Sequence, residues 1–487
     1  MAIAQARMDI RDDGASRTRR RALLAILACS IPEFMVALDN LVVSNALVPI
    51  SHSLHADEAQ LQWVVNAYTL SFASLLLTGA ALGDRFGRRR IFLAGLVLFM
   101  VGSMVCGLSG TVQILILGRV IQGAGAAAAM PLSLTLIAES VRPEKRSAAV
   151  GLWSAMTGLG TALGPVIGGA ITQGLAWQWI FWINIPVGVV AVVLIVAAVR
   201  ESEGPDRAVD LPGVVMGGAS VLLFVWAIVS GHRYGWASAR IDGAFVAAVA
   251  LLIAFVFWER RTTNPLLPLR FYRIPSFVLS NVVSATFYFG LFGAIFLLVQ
   301  YLQIVQGFNA FEAGLRTLPW SLGPLITAPL AGLVTDRVGG GRLMAIGMTL
   351  DAVALGWLAL IGREGLPYTH AIPALVIGGI GMGIVWTPVT AVVLASVRPD
   401  ERGKASGANS TVREVGGALG IAVSTSVVAH YATPIHSFAD IGMSFSNGMR
   451  PALWLSVCVL MVGAAAGAAI PRKRVDLLSD ESQEVNR

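Results

Sequence analysis

Charge is scarce in this chain of 487 residues. Asp, Glu, Lys and Arg make up 13% of positions, about half the share usual in soluble domains. That excludes an ordinary soluble fold. The three cysteines, Cys29, Cys106 and Cys458, all lie in apolar runs, so they read as packed thiols and exclude a disulfide framework. Histidine is equally sparse: His52, His55, His232, His370, His430 and His436. All map to outer ends of apolar runs or to the loops beyond them. His52 and His55 are three apart with no third ligand nearby, so no metal site is expected. The chain has no phosphate-binding loop of Walker type, no redox motif and no nucleophile constellation. No cofactor is expected, and an intramembrane enzyme is disfavoured.

Apolar residues fill 56% of the chain and fall in runs of roughly 20, the length a helix needs to cross about 30 Å of hydrocarbon. The runs are continuous, not alternating, which excludes a closed β-barrel. The fold class is therefore an all-α polytopic membrane protein. Spans are expected near 22–50, 60–82, 91–109, 113–137, 147–171, 180–199, 210–231, 241–258, 274–301, 313–334, 343–361, 371–395, 403–428 and 449–470. Residues 1–21 read as a disordered cytoplasmic tail and 472–487 as a second tail. The stretch from Ala429 to Arg450 reads as one long outer loop among short ones. With Arg17, Arg19, Arg20 and Arg21 placed inside, fourteen spans put about 28 of the 35 basic residues on the cytoplasmic side. The formal charge of +7 thus reports topology and not a nucleic-acid partner. Both termini are expected in the cytoplasm.

The chain repeats itself. Val141-Arg142-Pro143-Glu144-Lys145-Arg146 aligns with Val397-Arg398-Pro399-Asp400-Glu401-Arg402, and Gly151, Gly160 and Gly164 then fall on Gly407, Gly416 and Gly420. The turn Gly83-Asp84-Arg85-Phe86-Gly87-Arg88 returns around Asp336 and Arg337. Repeats of this kind are common in transporters. The expected domains are a six-helix bundle at 22–199, a linker at 200–272 that inserts two further spans as a hairpin, and a second six-helix bundle at 273–471.

Ionisable groups inside spans are expensive, and function is their default reading. Glu33 and Asp39 lie in the first span. Six residues turn a helix by about 600°, so their faces differ by about 120°. Glu33 shares a polar stripe with Asn40 and Ser44, whereas Asp39 needs its own partner. Arg119 in the fourth span cannot shed its proton and needs an anion or carbonyls. At matched depth, an Arg119–Asp39 pair is expected; a clamp on backbone carbonyls is the other reading of Arg119. Asp39, Glu33 and Arg119 are the proton-coupling candidates. Asn40, Ser44, Asn66, Tyr68, Gln122, Tyr288 and Glu414 are expected to line a substrate cavity. Gly83, Asp84, Arg85, Gly87, Arg88, Asp336 and Arg337 form the expected gate. Gly160, Gly164 and Gly168 recur every four residues beside Pro165 and Gly169. Their bare face is expected to press on a helix of the opposite half. Asp351 in the eleventh span is left without a role.

Taken together, these stretches resemble the fourteen-span drug:proton antiporter family of the major facilitator superfamily. The turn at 83–90 resembles its motif A, Arg119 to Gly125 its motif B, and Gly158 to Gly169 its motif C. Leu38-Asp39-Asn40-Leu41-Val42-Val43-Ser44-Asn45-Ala46-Leu47 is similar to its first-span motif, and Trp177-Gln178-Trp179-Ile180-Phe181-Trp182-Ile183-Asn184-Ile185-Pro186-Val187-Gly188 to the start of its sixth span. Asn40-Leu41 departs from the family, which often has a small residue and Thr there. The resemblance implies a bacterial inner-membrane protein, a monomer, with the lipid bilayer, protons and amphipathic small molecules as its partners. It implies export of amphipathic, often cationic drugs in exchange for protons by alternating access. Two other readings remain open: a same-fold exporter for one metabolite or self-made antibiotic, and a non-transporting sensor or scaffold.

Overall fold

A chain that must satisfy its backbone hydrogen bonds in lipid folds as helix wherever it crosses. In a computed structural model the described residues are 2–142, 145–204, 210–362, 367–431 and 438–471, and among these the side chains of 2–22, Ser44, Asn45, Val48, Glu58, Ala59, Pro165, Gln173, His232, Ala310 and 438–441 are not described. The expected tail at 472–487 also lies outside the described residues. Sixteen α-helices follow in order: α1 (Ala2–Leu54), α2 (Glu58–Phe86), α3 (Arg88–Gly107), α4 (Val112–Ser140), α5 (Arg146–Gly174), α6 (Trp179–Trp182), α7 (Asn184–Ala198), α8 (Leu211–Tyr234), α9 (Ala239–Glu259), α10 (Pro275–Gln300), α11 (Ala310–Ser321), α12 (Gly323–Val338), α13 (Gly340–Ile361), α14 (Ile372–Ala395), α15 (Arg402–Tyr431) and α16 (Phe438–Ala468). Among the described residues, 14 stretches are long and apolar enough to cross a membrane, and there is no strand.

The repeat reaches down to the caps. Asp57 and Gln60 form a capping box at the start of α2, with Gln60 N donating to Asp57 Oδ1 at 2.7 Å. Asn309 and Glu312 form the matching box on α11, with Glu312 N donating to Asn309 Oδ1 at 2.9 Å. α2 and α12, the helix that follows α11, then each end on a glycine whose positive φ would strain any other residue: Gly87 at 103° and Gly339 at 97°.

Three features differ from the sequence reading. The expected disordered tail at 1–21 is not separate, because α1 starts at Ala2. Its Ala, Arg and Met residues are strong helix formers. The expected outer loop at 429–450 is largely helix: α15 runs to Tyr431 and α16 starts at Phe438, with 432–437 outside the described residues. Two spans are also broken. The tenth divides into α11 and α12 around Leu322, where Pro324 lacks the N–H a continuous helix would use. The sixth divides into α6 and α7 at Ile183.

Buried apolar side chains gather in separate cores. One draws on α10, α11, α13, α14 and α16, around Phe287, Tyr288, Met348 and Leu453. Others draw mainly on α1 to α7, around Phe72, Phe99, Leu132 and Trp153. The inserted hairpin α8–α9 docks through α8. Val225 packs with Leu70 and Ala73 of α2 and with Val415 and Ala418 of α15, so α8 lies along the seam between the two cores.

Candidate functional site

Asp39 and Arg119 meet as an ion pair, each 1% exposed. Arg119 Nε also donates to Val64 O at 3.1 Å, and its guanidinium lies 4.4 Å from the Tyr68 ring centroid. Gln122 follows Arg119 by three residues, which turns it to the same side of α4. Its Nε2 donates to Asp39 Oδ1 at 3.1 Å and to Ser103 Oγ at 2.7 Å, and its Oε1 accepts from Arg119 at 2.9 Å. Asn184 Nδ2 donates to Asp39 Oδ1 at 2.9 Å and to Ser103 Oγ at 3.2 Å. The Asp39 carboxylate thus receives Arg119, Gln122 and Asn184, and the network ties together α1, α2, α3, α4 and α7. The sequence reading missed Ser103 and Asn184. Asn184 sits inside the quoted sixth-span motif, but only the tertiary fold brings it to Asp39.

Two cavity candidates therefore change place. Gln122 is fully buried and Tyr68 is 1% exposed, and both belong to the Asp39 network inside one bundle. Asn66 lies elsewhere again, in a small pocket with Trp63, Trp226 and Arg233 between α2 and α8. Asn40 is exposed. Ser44 has its side chain outside the described residues.

The remaining candidates gather where the two halves meet. Glu33 on α1 is 1% exposed; its Oε1 accepts from Thr157 Oγ1 of α5 at 3.0 Å. Its Oε2 has no partner among the described residues. The charges of Arg413 and Glu414, both on α15, act on it. Arg413 stacks over two rings: its Cζ lies 4.6 Å from the Tyr288 centroid on α10 and 5.8 Å from Trp153 on α5. Trp386 of α14 donates its indole N–H to the Tyr288 hydroxyl, and Phe287 packs edge-on against both rings. One carboxylate from the first half thus lies within electrostatic range of an arginine and a second carboxylate from the other, and Trp153, one turn before Thr157 on α5, stacks under that arginine beside the aromatic wall. Asp351, by contrast, is 4% exposed on α13 with neither carboxylate oxygen partnered among the described residues. It faces Gly381 of α14, away from this cluster.

The gate candidates form a third cluster. Arg88 pairs with Asp84 at 2.7 Å and with Glu139, and its Nη2 donates to Asp400 O at 3.0 Å, in the other half. Gly403, in the first turn of α15, has no room for a side chain: a Cβ there would lie 2.8 Å from Asp84 Oδ1. The linker closes over the turn, with Gly204 N donating to Asp84 O at 2.7 Å and Ser202 Oγ to Glu139 Oε2 at 2.6 Å. Asp336 repeats the pattern in reverse, accepting from Ser147 Oγ of α5 at 3.1 Å. Gly83 presses on Leu132. Arg85 and Arg337 are exposed, and Arg85 stacks on Phe86 at 4.8 Å.

The glycine face of α5 corrects an expectation. Gly160 and Gly164 do not press on the opposite half. A Cβ on Gly160 would lie 2.6 Å from Phe34 O, and one on Gly164 2.7 Å from Leu41 Cβ, both on α1 of the same half. Residues two apart point about 200° apart on a helix, so it is Gly158 that faces across, 3.0 Å from Pro324. Gly169 also faces across, toward Phe311, and Gly168 is buried, its carbonyl accepting from Thr172 at 2.9 Å. Gly160→Ala is expected to lower stability by about 1–3 kcal/mol, because backbone cannot move aside as a side chain can. Gly174→Ala, where a Cβ would meet nothing within 4 Å, is the control. Equal thermal unfolding of the two variants would contradict the assignment.

Comparison with known proteins now places the chain. The family model of the Major Facilitator Superfamily matches residues 30–421. The chain belongs to that superfamily. It is a multi-pass membrane transporter and not an enzyme. It is similar to the tetracenomycin C resistance and export protein of Streptomyces glaucescens, 35% identical over 412 residues, covering 84% of this chain and 76% of that one. It is similar to the multidrug resistance protein Stp of Mycobacterium tuberculosis at 35% over 413 residues, with the same coverage. The resemblance to the drug-efflux branch therefore holds. Among solved structures, the proton:xylose symporter XylE matches with a TM-score of 0.67 at 17% identity, over 95% of this chain and 99% of that one. That match carries the fold alone.

Proposed function

We propose that this transporter exports amphipathic small molecules, drugs or antibiotics among them, in exchange for protons, through alternating access to the cluster between the halves. The observation that carries the reading is Glu33, a buried carboxylate with one oxygen unpartnered among the described residues, set against Arg413, Glu414 and the Tyr288–Trp386 wall of the other half. A group at that seam meets opposite sides of the membrane as the halves rock. Glu33 is a better exchange group than Asp39, whose carboxylate is already saturated by three donors. The names of the relatives support export and resistance. The bias of arginine toward one set of turns supports a bacterial cytoplasmic membrane with both termini inside. One pH unit supplies about 1.4 kcal/mol per proton, enough for a tenfold gradient of an exported neutral molecule.

Glu33→Gln keeps the shape and the Thr157 contact but holds no exchangeable charge. In proteoliposomes it is expected to reduce pH-driven efflux at least about tenfold, with thermal unfolding close to that of the unmodified protein. Unchanged pH-driven efflux in the folded variant would remove Glu33 from the coupling step.

A further inference from the structure

Arg413 is 8% exposed, and its Nε has no hydrogen-bond partner among the described residues. A guanidinium stays charged and offers five donors. Arg119 shows how a structural arginine behaves here, closing on Asp39, Gln122 and a carbonyl. Arg413 does not close in this way. No ion pair among the described residues includes it, and the contacts that position it are with the Trp153 and Tyr288 rings. Across the seam, Glu33 Oε2 is buried and also unpartnered. Arg413 stacks on Trp153 and Glu33 accepts from Thr157, one turn apart on α5, so a donor fork on α15 and an acceptor on α1 border one region beside Tyr288 and Trp386.

We infer that the site takes an amphoteric substrate, with an acidic group on Arg413, an ammonium group on Glu33 beside Glu414, and an apolar planar body against Tyr288 and Trp386. This rests on the reading of the cross-half cluster as the substrate site. It departs from a purely cationic substrate, which would leave the unpartnered Arg413 donor without an acceptor. A simple anion fits no better, because it would face two carboxylates. An ammonium group competes with a proton for Glu33, so loading the substrate releases the proton, as exchange requires.

Four forms of one fluorophore separate these cases: pyrenylalanine (amphoteric), its methyl ester (cationic), its N-acetyl derivative (anionic) and its N-acetyl methyl ester (neutral). Binding to the full chain in lipid nanodiscs is read by quenching of tryptophan emission, with empty nanodiscs subtracted. Pyrenylalanine is expected to bind at least about tenfold tighter than either singly charged form, since each lost contact is a charge-assisted hydrogen bond. Arg413→Gln should bring it down to the level of the methyl ester, Glu33→Gln to that of the N-acetyl form, and Arg413→Lys should restore part of the loss. The ranking in the unmodified protein is decisive even where a variant fails to fold. Tightest binding by the methyl ester or the N-acetyl form, or equal binding of all four, overturns the inference and leaves the site standing. Absence of saturable binding by any of the four overturns the site reading and the inference with it.

Discussion

Asp39→Asn is expected to be among the most destabilising single substitutions in the chain. Asn matches the shape of Asp but leaves Arg119, 1% exposed, without a counter-charge. Removing one member of a buried ion pair costs about 3–5 kcal/mol, because the other charge stays buried alone. Gln122 and Asn184 lose the anionic character of the acceptor they share, which adds to the effect. An apparent Tm lower by about 5 °C or more is expected in detergent. The double variant Asp39→Leu/Arg119→Met removes both charges and should recover most of that loss. It should also keep pH-driven efflux, if Glu33 and not Asp39 is the exchange group. An Asp39→Asn protein as stable as the unmodified one would show that Arg119 is satisfied without Asp39. A stable double variant with no pH-driven efflux would return Asp39 to the coupling step.

The Asp39–Arg119 pair was legible in the sequence because both groups are costly in lipid and lie at matching depth. The share of Gln122 was legible in principle, since three residues after Arg119 lies on the same helical face. Ser103 and Asn184 were not, because α3 and α7 reach Asp39 only through tertiary packing. The glycine face of α5 was read correctly as a contact surface and given the wrong partner. Spacing of four marks one face of a helix but does not say which neighbour it meets. The insertion of two spans followed from counting, yet the docking of α8 along the seam did not: Val225 is one apolar residue among many in its span. Of the adjacent Arg413 and Glu414 only the acid was a site candidate, because the rings that Arg413 stacks on, Tyr288 of α10 and Trp153 of α5, reach it only through tertiary packing. On the helix Arg413 and Glu414 point about 100° apart, and each acts on Glu33.

The gate gives the second large effect. At the end of the molecule that bears the basic turns, the halves are joined through Arg88 to Asp400 O and through Ser406 Oγ to Pro131 O at 3.1 Å. The Asp84 carboxylate sits at the first turn of α15, against Gly403, where a negative charge meets the positive end of the helix dipole. It also holds Arg88 at 2.7 Å. Asp84→Asn keeps the size and loses both charge interactions, about 1–2 kcal/mol in favour of opening at that end. We propose that this end is cytoplasmic, so the variant should populate the inward-facing state about tenfold more. The reporter is Ser406→Cys, 1% exposed when the halves are closed, in a background with Cys29, Cys106 and Cys458 changed to alanine. Labelling by a membrane-impermeant maleimide in inside-out vesicles should be about tenfold faster with Asp84→Asn than without it. Arg88→Ala should act in the same direction and more strongly, because it leaves Asp84 and Glu139 as two carboxylates with no cation between them. Substrate affinity should change little in either variant, since neither residue belongs to the cluster around Glu33 and Arg413. Identical labelling rates in all three proteins would mean that these charges hold the turn together and do not set the balance between states.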